Sequence, residues 1–320
     1  MKGIGIDIGG TNTKLIVMDD RNALLHEERF HTSPEKGQAD FIKRLGAAAK
    51  RLKKEWKAAS IGIGAAGDVD PENGMLRFSP NLDRWRNVPL AASLKKLTGL
   101  ECVLENDANM AAWGAYELEI KRRYRNMAAV TLGTGIGSGI IIDGKLYHGA
   151  TGSAGELGHN KLDRDGAQCH CGAKGCLEAY CGSYALMRDA IRDIKNPEAF
   201  ISRYSAPGKE RLNTICLTRA ADHGHKAALK IWLDMGRNLG RGLAGMILLL
   251  NPECVVLTGG VSRAARHFLG PLKDVLASQQ ITMPFVKVKL VVARNADLGV
   301  YGAALLGMEK AKNRGKEVKK

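Results

Sequence analysis

Two apolar runs, GIGIDI at residues 3–8 and KLIVMD at 14–19, flank Gly9-Gly10-Thr11-Asn12-Thr13. Apolar stretches on either side of a glycine break predict strand, turn and strand. The design returns at 127–147, as AAVTL, then GTGIGSG, then IIIDGKLY. No helix follows the glycines in either place, so neither is a Walker loop or a dinucleotide fingerprint. A third glycine element, VVLTGGVSRAA at 255–265, reads instead as a buried strand running into a helix. Elsewhere the pattern predicts a helix over 40–57, a strand over 60–65, and a helix over 90–98. A short strand follows over 102–105, ending in Asn106-Asp107 before an alanine-rich helix. A long helix rich in Ala, Leu and Gly is predicted over 226–250, ended by Asn251-Pro252. Residues 271–292 read as helix then strand, 298–310 as a last helix, and the final KNRGKEVKK as frayed. Two similar strand-turn-strand designs predict two related α/β domains, 1–118 and 119–304, with a helix from about 305 to 320 returning to the first. The boundary falls near 117–126, a charged helix end.

The densest chemistry lies at 149–178, GATGSAGELGHNKLDRDGAQCHCGAKGCLE. Cys169, Cys171 and Cys176 follow His159, and Gly166, Gly172 and Gly175 supply the tight turns of a metal loop. A Cys3His set fills the tetrahedral shell of zinc, so the ion would hold the loop and leave no position for water. His170 is a rival fourth ligand, although it would have to double back between two cysteines. Glu156 and Glu178 flank the set, and two fixed carboxylates suit a polyol presenting neighbouring hydroxyls. At the glycine turns, backbone amides can face phosphate oxygens, with Thr11 adding a hydroxyl. Asp7, just before the first turn, could hold Mg2+ through water. Asp107 either caps its helix or points into the crevice at the carboxyl end of a strand. Asn106 beside it favours the crevice, because one cap does not need two polar residues.

Composition narrows the class. The chain has 320 residues, 45% hydrophobic and 25% charged, which suits a soluble globular protein of about two domains. No apolar run approaches the ~20 residues of a membrane span, and the amino terminus has no signal-peptide layout. Seven cysteines fit a reducing compartment, so a cytoplasmic protein is expected. The formal charge of +15 is concentrated at 43–57, 121–125 and 310–320, with no interleaved aromatics to stack on bases. These are expected to be solvated faces, with no specific nucleic-acid partner and no membrane.

The motifs DIGGTNTK, ENDAN around Asp107, LGTGIGSG, GELGH and CHCGAKGCLE, in this order over nearly the whole chain, resemble those of the ROK family of sugar kinases, its bacterial glucokinases in particular. The resemblance implies an actin-like, ribonuclease-H-like α/β kinase of two domains with ATP and sugar in the cleft between them. It implies a homodimer that moves the γ-phosphoryl of ATP, with Mg2+, to a sugar hydroxyl. By motif it implies Asp107 as catalytic base, and sugar contacts from Asn81, Asn106, Asp107, Glu156, His159 and Glu178. Nucleotide contacts fall on Asp7, Gly9, Gly10, Thr11 and Lys14, on Gly133, Thr134 and Gly135, and on Gly259 and Gly260. Structural zinc falls on His159, Cys169, Cys171 and Cys176, with one nitrogen of His159 on the ion and the other toward the sugar. A base of ordinary carboxylate pKa, about 4, would serve. Glucose is the implied acceptor. The alternatives are N-acetylglucosamine, N-acetylmannosamine, mannose, allose or fructose, or a non-catalytic sugar-sensing regulator. ROK repressors carry an amino-terminal helix-turn-helix, which is not expected in a chain that opens on its first strand.

Overall fold

The computed structural model describes residues 1–82, 85–206, 208 and 210–317. Contacts divide the chain into two units that interleave in sequence. Met1–Ala129, Gly139–Gly155 and Asp297–Lys320 form one, and Val130–Ser138 with Glu156–Ala296 form the other. No single cut of the chain separates them.

The first unit opens with β1 (Lys2–Ile8), β2 (Asn12–Asp19), β3 (Leu24–His31), α1 (Gln38–Trp56) and β4 (Ser60–Ala65). It continues through β5 (Asp68–Asp70), β6 (Met75–Phe78), β7 (Arg86–Val88), α2 (Leu90–Thr98), β8 (Glu101–Asn106) and α3 (Asp107–Gly114). The main sheet has the order β3-β2-β1-β4-β8. The hairpin β1–β2 is antiparallel, with Asp7 opposite Lys14, whereas β4 runs parallel to β1 and β8 parallel to β4. The alternation GIGI in β1 and IGIG in β4 divides labour between the two sheet faces. On one face Ile4, Ile6, Ile61 and Ile63 pack into a core with Phe41, Leu45 and Leu52 of α1 and Leu90 and Leu94 of α2. On the other face Gly3, Gly5 and Gly62 leave the backbone of these two strands open to close approach.

The chain then enters β9 (Met127–Leu132), β10 (Ile136–Ile142) and β11 (Lys145–Leu146). Both β9 and β10 have residues in each unit. The second unit holds α4 (Glu178–Cys181), α5 (Ser183–Asp193), α6 (Pro197–Tyr204), α7 (Thr214–Asp222) and α8 (Lys226–Leu250). After these come β12 (Cys254–Thr258), α9 (Ala265–Ala277), α10 (Met283–Lys287) and β13 (Lys289–Val292). The second sheet has the order β11-β10-β9-β12-β13. Helix α9 starts before the position expected from sequence and carries Pro271 inside it.

The last helix, α11 (Leu298–Glu317), belongs to the first unit and lies on the glycine-bearing face of its main sheet. Approach is close enough that a Cβ at Gly62 would stand 1.8 Å from the Ala303 carbonyl oxygen, and one at Gly5 2.3 Å from that of Val300. Of the tail 312–320 expected to fray, residues 312–317 continue the helix, and 318–320 lie outside the described residues. The helix persists to Glu317, where Arg314 pairs with Glu101 and Lys312 lies 3.7 Å from Asp20.

Gly62→Ala should therefore push α11 off the sheet and cost on the order of 2 kcal/mol, as overpacking does. Gly270→Ala, at a helical position with open space around it, should be neutral or stabilising by about 0.5–1 kcal/mol. Urea unfolding of the two variants checks the contrast, and equal midpoints would refute the close packing.

Candidate active site

The first unit gathers the early motif residues at one end of its sheet. Strand β1 delivers Asp7 and turns at Gly9-Gly10-Thr11. The Gly9 amide donates to the Asn12 carbonyl at 3.1 Å, and the buried Thr32 hydroxyl donates to the Gly9 carbonyl at 2.7 Å. A Cβ at Gly10 would lie 3.0 Å from that of Asn81, so the turn and Asn81 pack against each other. Lys14, directly opposite Asp7, is only 7% exposed. Its ammonium sits 3.1 Å from Glu27 Oε2 and 3.0 Å from Asp297 Oδ1, held inward by two carboxylates.

At the end of β8, Asn106 caps α3. Its Oδ1 accepts from the amides of Ala108 at 2.8 Å and Asn109 at 3.4 Å, and its Nδ2 donates to the Gly67 carbonyl at 3.1 Å. Capping thus falls to Asn106. Asp107 takes the first helical position, where water reaches its side chain and one oxygen accepts from Ala108 at 2.9 Å. Crowding by protein atoms raises the Asp107 pKa, with that amide pulling the other way. Asp7 is pushed up to about 6, first by burial and then by Asp107, with Asp297 adding to the rise and Lys14 and Arg29 opposing it. Three carboxylates against two cations leave an excess of negative charge around Asp7, the sign that favours a divalent ion such as Mg2+ nearby.

The second unit gathers the rest. Nδ1 of His159 and the sulfurs of Cys169, Cys171 and Cys176 form a group whose ligand atoms all lie within 4.8 Å of one another. A borderline-soft ion with tetrahedral preference fits this set of three sulfurs and one nitrogen. The rival His170 is occupied elsewhere, stacked on Tyr184 with ring centroids 3.7 Å apart. The loop is shaped by short bridges pairing Lys161 with Cys176 and Gln168 with Lys174. Lys161 also reaches Cys176 Sγ at 3.0 Å, placing a positive charge beside a prospective thiolate. The other nitrogen of His159 turns toward Glu156, 3.8 Å from Oε2.

Glu178 ties this loop to the second glycine turn. Its Oε2 accepts from the Ile136 amide at 3.0 Å, while Oε1 lies 3.4 Å from Cys169 Sγ. A Cβ at Gly135 would stand 2.1 Å from Oε2, so any side chain there would displace the carboxylate. Ser183, at the start of α5, donates its amide to the Gly133 carbonyl at 2.9 Å, and Gly182 packs on the Thr134 carbonyl. Gly259, with φ of 90°, abuts Leu132 at the end of β9, and Gly260 opens a short 3-10 helix after β12. The motif residues thus fall into two sets, one in each unit. Sequence reasoning missed Asp297, Glu27, Glu105 and His148. Glu105 alone had a signal, as the first letter of ENDAN.

Glycine hairpins that present amides, a carboxylate at a strand end and a Cys3His loop bearing two acids define an α/β protein suited to phosphate and polyol ligands. The ROK family model matches residues 3–310, and the chain belongs to that family. It is 36% identical over 312 residues to the glucokinase of Thermotoga maritima, covering 97% of this chain and 98% of that protein. It is 31% identical over 309 residues to the N-acetylmannosamine kinase of Salmonella arizonae, covering 96% and 98%. A crystal structure of a ROK family glucokinase from Streptomyces griseus in complex with glucose and AMPPNP matches with a TM-score of 0.83 at 32% identity, over 97% of this chain and all of that one. The fold is the actin-like two-domain α/β architecture of ROK sugar kinases.

Because Asp7 binds its proton more tightly when folded, its stabilising contribution is full below the ordinary 3.8 and is lost as pH rises through about 6. In magnesium-free urea unfolding, Asp7→Asn should be more stable than the native chain by on the order of 2 kcal/mol at about pH 8, the gap closing near pH 4. A gap that did not change with pH would contradict the assigned burial and charge.

Proposed function

We propose that this chain is an ATP-dependent hexose kinase that converts glucose to glucose 6-phosphate, with Asp107 as general base. The observation that carries the proposal is the placement of Asp107: a carboxylate at a strand end, at the start of a helix that Asn106 caps. The full-length likeness to a glucokinase supports the choice of acceptor. In the reaction the sugar hydroxyl oxygen bonds to the γ-phosphorus, the bond to the ADP oxygen breaks, and the hydroxyl proton passes to Asp107. A raised pKa makes the carboxylate a stronger proton acceptor.

The other residues bind and orient. Asn81, Asn106, Glu156, Glu178 and the outward nitrogen of His159 would hold sugar hydroxyls. Amides at Gly9, Gly10 and Thr11 and at Gly133, Thr134 and Gly135 would face phosphate oxygens, and Gly259 and Gly260 the nucleoside end. Asp7 would hold Mg2+ through water, and the ion supplies charge neutralisation on the transferring phosphoryl when bound. Lys14, engaged by Glu27 and Asp297, would keep Asp7 charged instead of touching phosphate. His159, Cys169, Cys171 and Cys176 would hold a structural zinc that fixes the positions of Glu156 and Glu178. The same proposal includes a cytoplasmic homodimer. Among the described residues no helix is long and apolar enough to cross a membrane. A second acceptor, N-acetylmannosamine, is favoured by the likeness to the Salmonella kinase.

ADP release with MgATP over a panel of hexoses and N-acetylhexosamines should show selective turnover of glucose. Turnover of N-acetylmannosamine alone would shift the assignment to the second acceptor, and none at all would end the kinase proposal. Asp107→Asn should fold normally and lose ~10^2 or more in kcat. Near-native turnover in that variant would remove Asp107 from its role. Cys171→Ala should lower bound zinc, measured by metal analysis, and raise the sugar KM together. A zinc-free, folded variant with native KM would uncouple the loop from sugar binding.

A further inference from the structure

Glu105 immediately precedes Asn106 and Asp107, yet it is only 5% exposed. Both of its oxygens are engaged. Oε1 lies 2.6 Å from Nε2 of His148, and Oε2 accepts from Nδ2 of the buried Asn109 at 3.2 Å. A carboxylate withdrawn from water needs a compensating charge, and the partly exposed imidazole of His148 supplies it when protonated. The charged groups that bear on His148 are Glu105 on β8 and Lys310 on α11. Glu105 raises the His148 pKa, burial and Lys310 oppose the rise, and the balance is upward.

His148 begins the segment 148–155, the last stretch of the first unit before Glu156 opens the next part of the second. Arg77 Nη1 donates to the Thr151 carbonyl at 2.9 Å, and the Ser153 hydroxyl to Asp68 Oδ1 at 3.3 Å. Gly152, at φ of 93°, has its Cβ position 3.0 Å from the Val69 carbonyl oxygen, and the Ala154 amide closes back on the His148 carbonyl at 3.1 Å. The segment is thus a strap laid on β5 and β6 along its length. At its start it is tied to the strand that ends beside Asp107.

We propose that His148 is a positioning residue: through Glu105 it fastens the strap 148–155 to the strand and helix start that carry Asp107. The inference rests on the kinase role proposed for Asp107. A histidine in this place makes the fastening conditional. With Nε2 protonated it is a charge-assisted bond to a carboxylate, and loss of the imidazolium charge at alkaline pH weakens it.

The test compares the native chain with His148→Gln, which keeps a donor without a titrating charge, and with His148→Ala. Sugar KM and kcat are followed across neutral to alkaline pH, alongside backbone hydrogen exchange in residues 149–155. His148→Ala should lose about tenfold or more in kcat/KM for the sugar, as misplaced binding groups do, and exchange in 149–155 should rise. His148→Gln should recover part of both, and its sugar KM should lack the alkaline rise of the native enzyme. Values within about twofold of native, where only a surface contact is lost, would overturn the proposal, as would faster exchange without a kinetic change. If His148→Ala does not fold, His148→Gln alone decides through the pH dependence of KM. A native chain that turned over no sugar would sink the kinase proposal only. The exchange measurement would still decide whether His148 fastens the strap.

Discussion

The first unit depends on how closely α11 can lie on β1 and β4. Side chains would hold a helix well clear of a sheet, and here Gly3, Gly5 and Gly62 remove them from the face that α11 covers. The opposite face keeps its isoleucines for the core. This one-sided stripping fixes the helix in depth and along its axis, and the charged residues it carries follow. Asp297, just ahead of the helix, meets the ammonium of Lys14 opposite Asp7. Gly302 fits against the Met110 carbonyl, where a Cβ would be 1.9 Å away, so α3 is held by the same helix that covers the sheet. The carboxylates at the strand ends are thus positioned by a close backbone contact, flanked by Ile16 and Met18 packed on Val300, which cannot rearrange without unpacking.

The second unit solves its positioning problem with side chains. Its glycine turn at 133–135 has no helix lying against it in that way. Instead the Glu178 carboxylate holds the Ile136 amide from one side and touches the Cys169 sulfur on the other. Movement in the cysteine loop would therefore be felt at the turn. A loop of this length, with few apolar residues of its own, gains rigidity chiefly from what its thiols bind. Lys161 beside Cys176 reduces the negative charge that three thiolates would otherwise concentrate.

Much of this was legible in the sequence where local pattern and tertiary demand agree. The hairpins around Gly9 and Gly133, the strand Ser60–Ala65 and the helices Leu90–Thr98 and Lys226–Leu250 follow from periodicity and punctuation alone. The three short strands β5, β6 and β7 did not, because each is stabilised by pairing with the next and leaves little periodic trace. The start of α9 was hidden by Pro271, a residue that usually marks a helix start and here sits inside one. Choices between adjacent groups were the least legible. The sequence favoured His159 over His170 and the crevice for Asp107, but spacing could not say that Asn106 caps α3 or that His170 stacks on Tyr184. Both depend on side-chain torsions set by neighbours distant in sequence.

The charge balance at the strand ends argues that the first unit is built to be completed by something positive. Asp7, Asp107 and Asp297 outnumber the Lys14 and Arg29 charges that bear on Asp7, and the cost appears as a proton held to about pH 6. A site selected for stability alone would replace Asp7 with a neutral residue or add a cation, both small changes. The arrangement instead keeps an acid whose ionisation costs the folded chain stability, and cation binding would regain that cost. Lys14 cannot fill that place, because Glu27 and Asp297 hold its ammonium on the inner side. On the proposed function the missing positive charge would be that of the Mg2+ accompanying the nucleotide, which would lower the Asp7 pKa against the repulsion of the phosphates.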